Sequence, residues 1–138
     1  MTTFEAEVAE WARKVQGAEL LIFQESVQEL VSQLTALVPV DTGFLRSSLR
    51  ASTTAMPVMS LENPGAGAFN LDAGEISLVI AGADIGDTIY LGYTANYGAY
   101  IHYGANGRTG RPWVAMVAQR WASIVSAKAA EVKARLGL

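Results

Sequence analysis

From Thr2 to Val38 the apolar residues keep to one helical stripe, and this run constrains the fold more than any other feature of the chain. Phe4, Val8, Trp11, Val15, Ala18 and Ile22 recur at alternating spacings of four and three. Phe23, Val27, Leu30, Leu34 and Leu37 continue the stripe, shifted by one residue. Such spacing predicts an amphipathic α-helix of roughly 55 Å at ~1.5 Å per residue. Thr2 and Glu5 make a capping box at its start. Val38-Pro39 marks the stop, because a residue before proline avoids helical geometry. Gly17 costs about 1 kcal/mol in mid-helix and is a candidate for a kink or a close helix contact. A helix this long exceeds the width of a domain built from 138 residues. Part of it is therefore expected to pack against a neighbouring subunit.

Downstream, Asp41 or Thr42 can cap a short helix with Leu45 and Leu49 on one face. Residues 50–55 read as extended, and Met56 to Gly74 as a long loop punctuated by Pro57, Pro64, Gly65 and Gly67. The loop is rich in apolar residues (Met56, Val58, Met59, Leu61, Phe69, Leu71). It is expected either to lie mobile until a partner covers it or to fold back over its own sheet. Alternation predicts strands at 75–81 and 88–94, joined by a turn into an antiparallel hairpin. Asn96 would cap one helical turn carrying Tyr97, Tyr100 and Ile101. Residues 104–111 read as an exposed flexible loop. Pro112 opens a last helix over 112–136, with Trp113, Val117, Trp121, Ile124, Val125, Val132 and Leu136 inward. The expected class is α+β: a long N-terminal and a C-terminal helix packed on a small, mostly antiparallel sheet, as a single domain over 1–138.

Composition narrows the function. Half the residues are apolar, which argues against disorder. Cysteine is absent, so disulfides and thiolate metal sites are excluded. No apolar run nears the ~20 residues of a membrane span, and the first residues carry no signal-peptide pattern, so a soluble cytoplasmic product is expected. The net charge of −3 is unevenly spread. Residues 1–38 hold six acids against Arg13 and Lys14, and residues 39–99 six acids against Arg46 and Arg50. Residues 100–138 hold six bases against Glu131. Opposite ends of opposite sign suit either head-to-tail attachment between copies or an internal pairing of two helices.

The inventory for chemistry is thin. His102 stands alone, without the ligand partners of a zinc site or the Gly-x-Ser-x-Gly pattern of a hydrolase, and reads as structural or interfacial. Asp84 and Asp87 flank Gly86 and read as turn formers rather than an acid–base pair. The glycine-rich stretch 104–111 lacks phosphate-loop spacing. Arg108 and Arg111 could touch a nucleic-acid backbone, yet a pI near 5.1 argues against autonomous DNA binding. Tyr90, Tyr93, Tyr97, Tyr100 and Tyr103 lack the basic surround of a base-stacking platform, and suit core packing plus a subunit interface. No cofactor or metal is implied.

Three patches, in order, resemble one family. Val38-Pro39-Val40-Asp41-Thr42-Gly43-Phe44-Leu45-Arg46-Ser47-Ser48-Leu49 looks like the Pro-Val-Asp-Thr-Gly-x-Leu-Arg signature of tailed-phage neck or tail-completion proteins. Tyr97-Gly98-Ala99-Tyr100-Ile101-His102-Tyr103-Gly104 is similar to that family's Tyr-Ala-x-Tyr-Val-Glu-Phe-Gly segment, with His102 in place of glutamate and Gly98 in place of alanine. Gly110-Arg111-Pro112-Trp113 resembles its Gly-Arg-Pro-Phe entry into the last helix. The resemblance spans nearly the whole chain. It implies a non-enzymatic structural protein that forms a homo-oligomeric ring, a hexamer, between head connector and tail tube. The setting is the virion head–tail junction, assembled in the host bacterial cytoplasm, with transient contact to genomic DNA in the lumen and none to membrane. The expected assembly interface comprises Asp41, Thr42, Gly43, Leu45, Arg46, Tyr97, Tyr100, His102, Arg108 and Arg111, with Asp41 and Thr42 shaping a turn and Arg46 reaching a neighbour. Alternatives are a tail terminator capping the tube, a small nucleic-acid-associated module using Arg108 and Arg111, and an enzyme with a site around His102.

Overall fold

The computed structural model describes residues 3–40, 43–64, 67 and 69–138. Helix α1 (Phe4–Leu37) begins at Thr3, whose hydroxyl accepts from the Ala6 amide at 3.2 Å. Thr2, the residue expected to cap it, lies outside the described residues. The helix passes Gly17 without a break, and nothing lies within 4 Å of the place a Cβ would take there. Gly17 therefore marks neither a helix break nor a close contact. The C-terminal half of α1 supplies Val27, Val31 and Leu34 to the core, while Phe4, Val8 and Trp11 stand in solvent.

After α1 come a one-turn helix α2 (Phe44–Ser47) and strand β1 (Leu49–Ser52). Helix α3 (Ala73–Ala81) occupies the segment expected to be the first strand of the hairpin. The alternation Ile76, Leu78, Ile80 is misleading. Ile76 and Ile80 are also four apart, and they alone are buried, whereas Leu78 is 75% exposed. Asp72 accepts from the Glu75 amide at 3.0 Å and caps the helix, a start signal that outweighs the strand pattern. Gln24 of α1 donates to the carbonyls of Ala81 and Ala83, and Gln28 to the Ser77 hydroxyl, which ties α3 to α1.

The expected hairpin therefore does not form. Strand β2 (Tyr90–Tyr93) pairs antiparallel with β1, in the register Leu49 to Tyr93 and Ser52 to Tyr90. The turn before it matches the turn reading of the aspartates: the Asp84 amide donates to the Asp87 carboxylate at 2.8 Å. Helix α4 (Gly98–Tyr103) follows. Residues 104–111, expected to be a loop, include a second small ribbon, β3 (Gly104–Ala105) against β4 (Arg108–Thr109). Asn106 (φ 52°) and Gly107 (φ 77°) form its turn, the left-handed pair that a two-residue hairpin requires.

The last helix is interrupted. Helix α5 (Trp113–Ala118) ends at Gln119–Arg120, and α6 (Trp121–Leu136) continues from there. Trp113, Val117, Ile124 and Val132 are buried as expected, but Trp121, the first residue after the break, is exposed. Helix α6 lies antiparallel to α1: Arg120 reaches Gln33 at one end, and Arg135 grips Glu25 with contacts of 2.9 and 3.0 Å near the other. Of the two readings of the charge asymmetry, this pairing realises the internal one, acidic α1 against basic α6. The architecture is α+β, a long first helix and a C-terminal helix around small antiparallel ribbons. No helix among the described residues is long and apolar enough to cross a membrane.

Candidate assembly site

The end of α1 is where the three sequence patches meet. The last turn of α1 holds no basic residue of its own. Arg111 supplies one from across the chain, donating through Nε to the Leu37 carbonyl at 3.1 Å. A cation there satisfies a terminal carbonyl and opposes the negative end of the helix. The Arg111 amide also donates to the Ile101 carbonyl at 2.9 Å, so the third patch is stitched to the second. Gly110 makes that approach possible. A Cβ on it would come within 2.5 Å of the Gly104 nitrogen and 2.6 Å of the His102 carbonyl oxygen, so any side chain would push the ribbon off α4.

The first patch joins from the other side. Gly43 starts α2 at φ 88°, a left-handed geometry that glycine adopts without strain. Phe44 stacks on Tyr97 at 6.2 Å and meets Phe69 edge-on at 5.2 Å. Leu45 packs under Gly98, where a Cβ would sit 3.5 Å from its methyl; the glycine that departs from the family pattern thus lies over this leucine. Ser48 presents its carbonyl to both the amide and the hydroxyl of Thr94, fixing the entry to the β1–β2 ribbon.

Beneath lies an aromatic cluster centred on Trp113, with Tyr93 edge-on at 5.2 Å and His102 at 5.5 Å. His102 accepts through Nε2 from the Ala115 amide at 3.4 Å, which places the proton of a neutral ring on Nδ1. It packs on Tyr103 as well. Tyr93 is buried, and burial pushes its phenol up to about 12; the nearby Trp113 indole N–H counters this in part, though the pair falls short of hydrogen-bond geometry.

Of the expected interface residues, Asp41 and Thr42 lie outside the described residues. Leu45 is 4% exposed and is a core residue. Gly43 is buried as well, and Arg46 and Tyr97 are half-buried. His102 is half-buried and packs on Trp113 and Tyr103 at an apolar groove. Tyr100, Arg108 and Arg111 remain at the surface, where they line a cleft of about 590 Å³ with Pro39 and Ile101.

A second surface was only partly anticipated. The loop after β1 folds back over its own sheet: the amides of Ser60 and Leu61 donate to the Thr94 carbonyl, and Phe69 and Leu71 pack on the core. Met56 and Pro57 lie across Gly92. Yet Met56, Val58 and Met59 stay exposed. Met56 and Met59, with Tyr103 and Val114, rim an apolar groove of about 420 Å³ floored by Leu34 and Trp113. Tyr103 and Val114 could not be assigned to it from spacing, since they come from separate elements.

Among the described residues no three His, Asp or Glu side chains are grouped to hold a metal ion. No family model, curated protein or solved structure matches this chain.

Proposed function

We propose that this protein is a non-enzymatic structural subunit of the head–tail junction of a tailed phage or prophage, forming a ring that completes the tail and joins it to the head connector. The observation that carries the reading is the first three turns of α1. Phe4 is 79% and Trp11 60% exposed, with Val8 between them, on a helix whose C-terminal half buries Val27, Val31 and Leu34 in the core. A subunit that works alone gains nothing from holding such a stripe in water, and an assembling one does. The convergence of the three family-like patches at the end of α1 supports the phage assignment, because it gives each patch a reason to be kept together. In a ring, Arg108 and Arg111 would face either a neighbour or DNA in the lumen.

Deleting the gene from the phage that carries it tests this. The expected result is DNA-filled heads and separate tails in the lysate, with joining restored by the intact chain and not by a Phe4→Glu/Trp11→Glu variant. Tails of uncontrolled length would mean the terminator role. Normal, infectious particles without the protein would remove the proposal.

A further inference from the structure

We infer that the acidic turn 84–87 of one subunit seats in the arginine-bearing cleft of the next, so that the cleft's occupant is a second copy of this chain. The biological setting rests on the ring-subunit reading; the contact itself rests on charge, exposure and geometry.

The cleft of about 590 Å³ is lined by Pro39, Tyr100 and Ile101 and by the two cations Arg108 and Arg111. Among the described residues no carboxylate lines it, and neither arginine has an ion pair. Arg111 is already oriented. Its Nε is engaged by the Leu37 carbonyl, which leaves the two terminal nitrogens as a fork for an oxyanion. The turn is the complement. From residue 51 to residue 107 the chain has five acids and no lysine or arginine. Two of them, Asp84 and Asp87, are exposed and not ion-paired, and between them Ile85 is 53% exposed. The Asp84 amide donates to the Asp87 carboxylate, so both acids are carried on one closed turn. The acids are three positions apart, and so are the arginines. Two carboxylates can therefore meet two guanidinium groups while Ile85 covers Pro39 and Ile101. The first turns of α1 are a poorer match, because they mix Glu5 and Glu10 with Arg13 and Lys14.

The turn cannot fill its own cleft. It is held beside the middle of α1, where Gln24 donates to the Ala83 carbonyl at 3.1 Å, whereas the cleft lies at the helix end, where Arg111 meets Leu37. Gln24 and Leu37 stand on one unbroken helix, about 20 Å apart along the axis at ~1.5 Å per residue. Two complementary surfaces at different levels of one subunit give a head-to-tail contact, which repeats until it closes a ring or extends as a filament. Nucleic acid in the cleft is the competing arrangement.

Charge reversal tests the contact, because the side chains of Asp84 and Arg108 make no hydrogen bond among the described residues. In light scattering the parent should self-associate, and the Asp84→Arg and Arg108→Asp proteins should each do so at least about tenfold more weakly. Mixed one to one, the two variants should associate again, since each then meets an opposite charge. A single variant that associates like the parent, a mixture that stays apart, or a parent that is monomeric at every concentration would overturn the inference. So would a short DNA duplex that binds the parent and not the Arg108→Asp protein while self-association is unchanged, which would give the cleft to nucleic acid. If a reversal variant melts early, a disulfide decides, because the chain has no cysteine of its own. Ile85→Cys and Tyr100→Cys proteins, mixed with oxidised glutathione as oxidant, should give the mixed disulfide in large excess over either homodimer; no such excess would count against the contact. Joining in phage lysates is a separate readout: restored association in the mixture with normal joining after gene deletion keeps the contact and removes the phage role.

Discussion

Burial of Tyr93 has a consequence that solution measurements can read. Its phenol is held near 12, against an ordinary value of 10, chiefly because the charged form would be stranded beside Trp113 without water. Below pH 10 both folded and unfolded chains keep the proton, so the contribution to stability is fully present. Between about 10 and 12 the unfolded chain ionises first while the native state retains its proton, so stability falls as pH rises through that window. Two pH units correspond to about 2–3 kcal/mol. Tyr93→Phe should remove most of that alkaline loss and cost little at pH 7, since the hydroxyl has no hydrogen-bond partner among the described residues. Urea melts at pH 7, 10 and 11.5 compare the two proteins. Equal alkaline losses in both would show that the phenol does not titrate with folding.

Among the elements, α3 shows most clearly what periodicity can and cannot decide. Ile76 and Ile80 fit a strand face and a helix face equally well, and only the fate of Leu78 separates the two. On a helix Leu78 points to solvent; on a strand it would face inward with its neighbours. Leu78→Lys is therefore expected to change stability by less than about 0.5 kcal/mol, as an exposed substitution does. A loss of about 3 kcal/mol in a denaturant melt, the scale of a core truncation, would contradict the helix. Other elements differed in legibility for similar reasons. The α1 stripe repeats over enough turns that no strand could produce it. The β1–β2 pairing joins segments some forty residues apart in sequence, and no local pattern announces such a partner. The break at Gln119–Arg120 carries neither glycine nor proline, so nothing in the composition marked it. The site was legible as three separate patches. Their meeting at the end of α1 was not, because it depends on Arg111 reaching Leu37 across seventy-four positions.

For the molecule as a whole, the opposite charges of its two ends are partly spent inside one chain, through Arg135 and Glu25. Both side chains keep solvent contact, 53% and 30% exposed, so the pair is screened and its worth is at most about 1 kcal/mol. Arg135→Ala should lower stability by less than that at low salt, with a smaller difference still at 0.5 M. A loss well beyond 1 kcal/mol would make the bridge a principal fastener of α6 and not a surface trim. Apolar burial of Ile124 and Val132 against α1 is the stronger bond between the two helices.

That pairing of first and last helices also orders events in time. Glu25 and Arg135 are 110 positions apart, so at roughly 5–20 residues per second the ribosome finishes α6 some 5–20 s after α1. Throughout that interval the face of α1 that α6 covers stays open, along with the projecting tip. Nascent chains on one message therefore hold out the same apolar surface side by side until the last helix arrives to cover it.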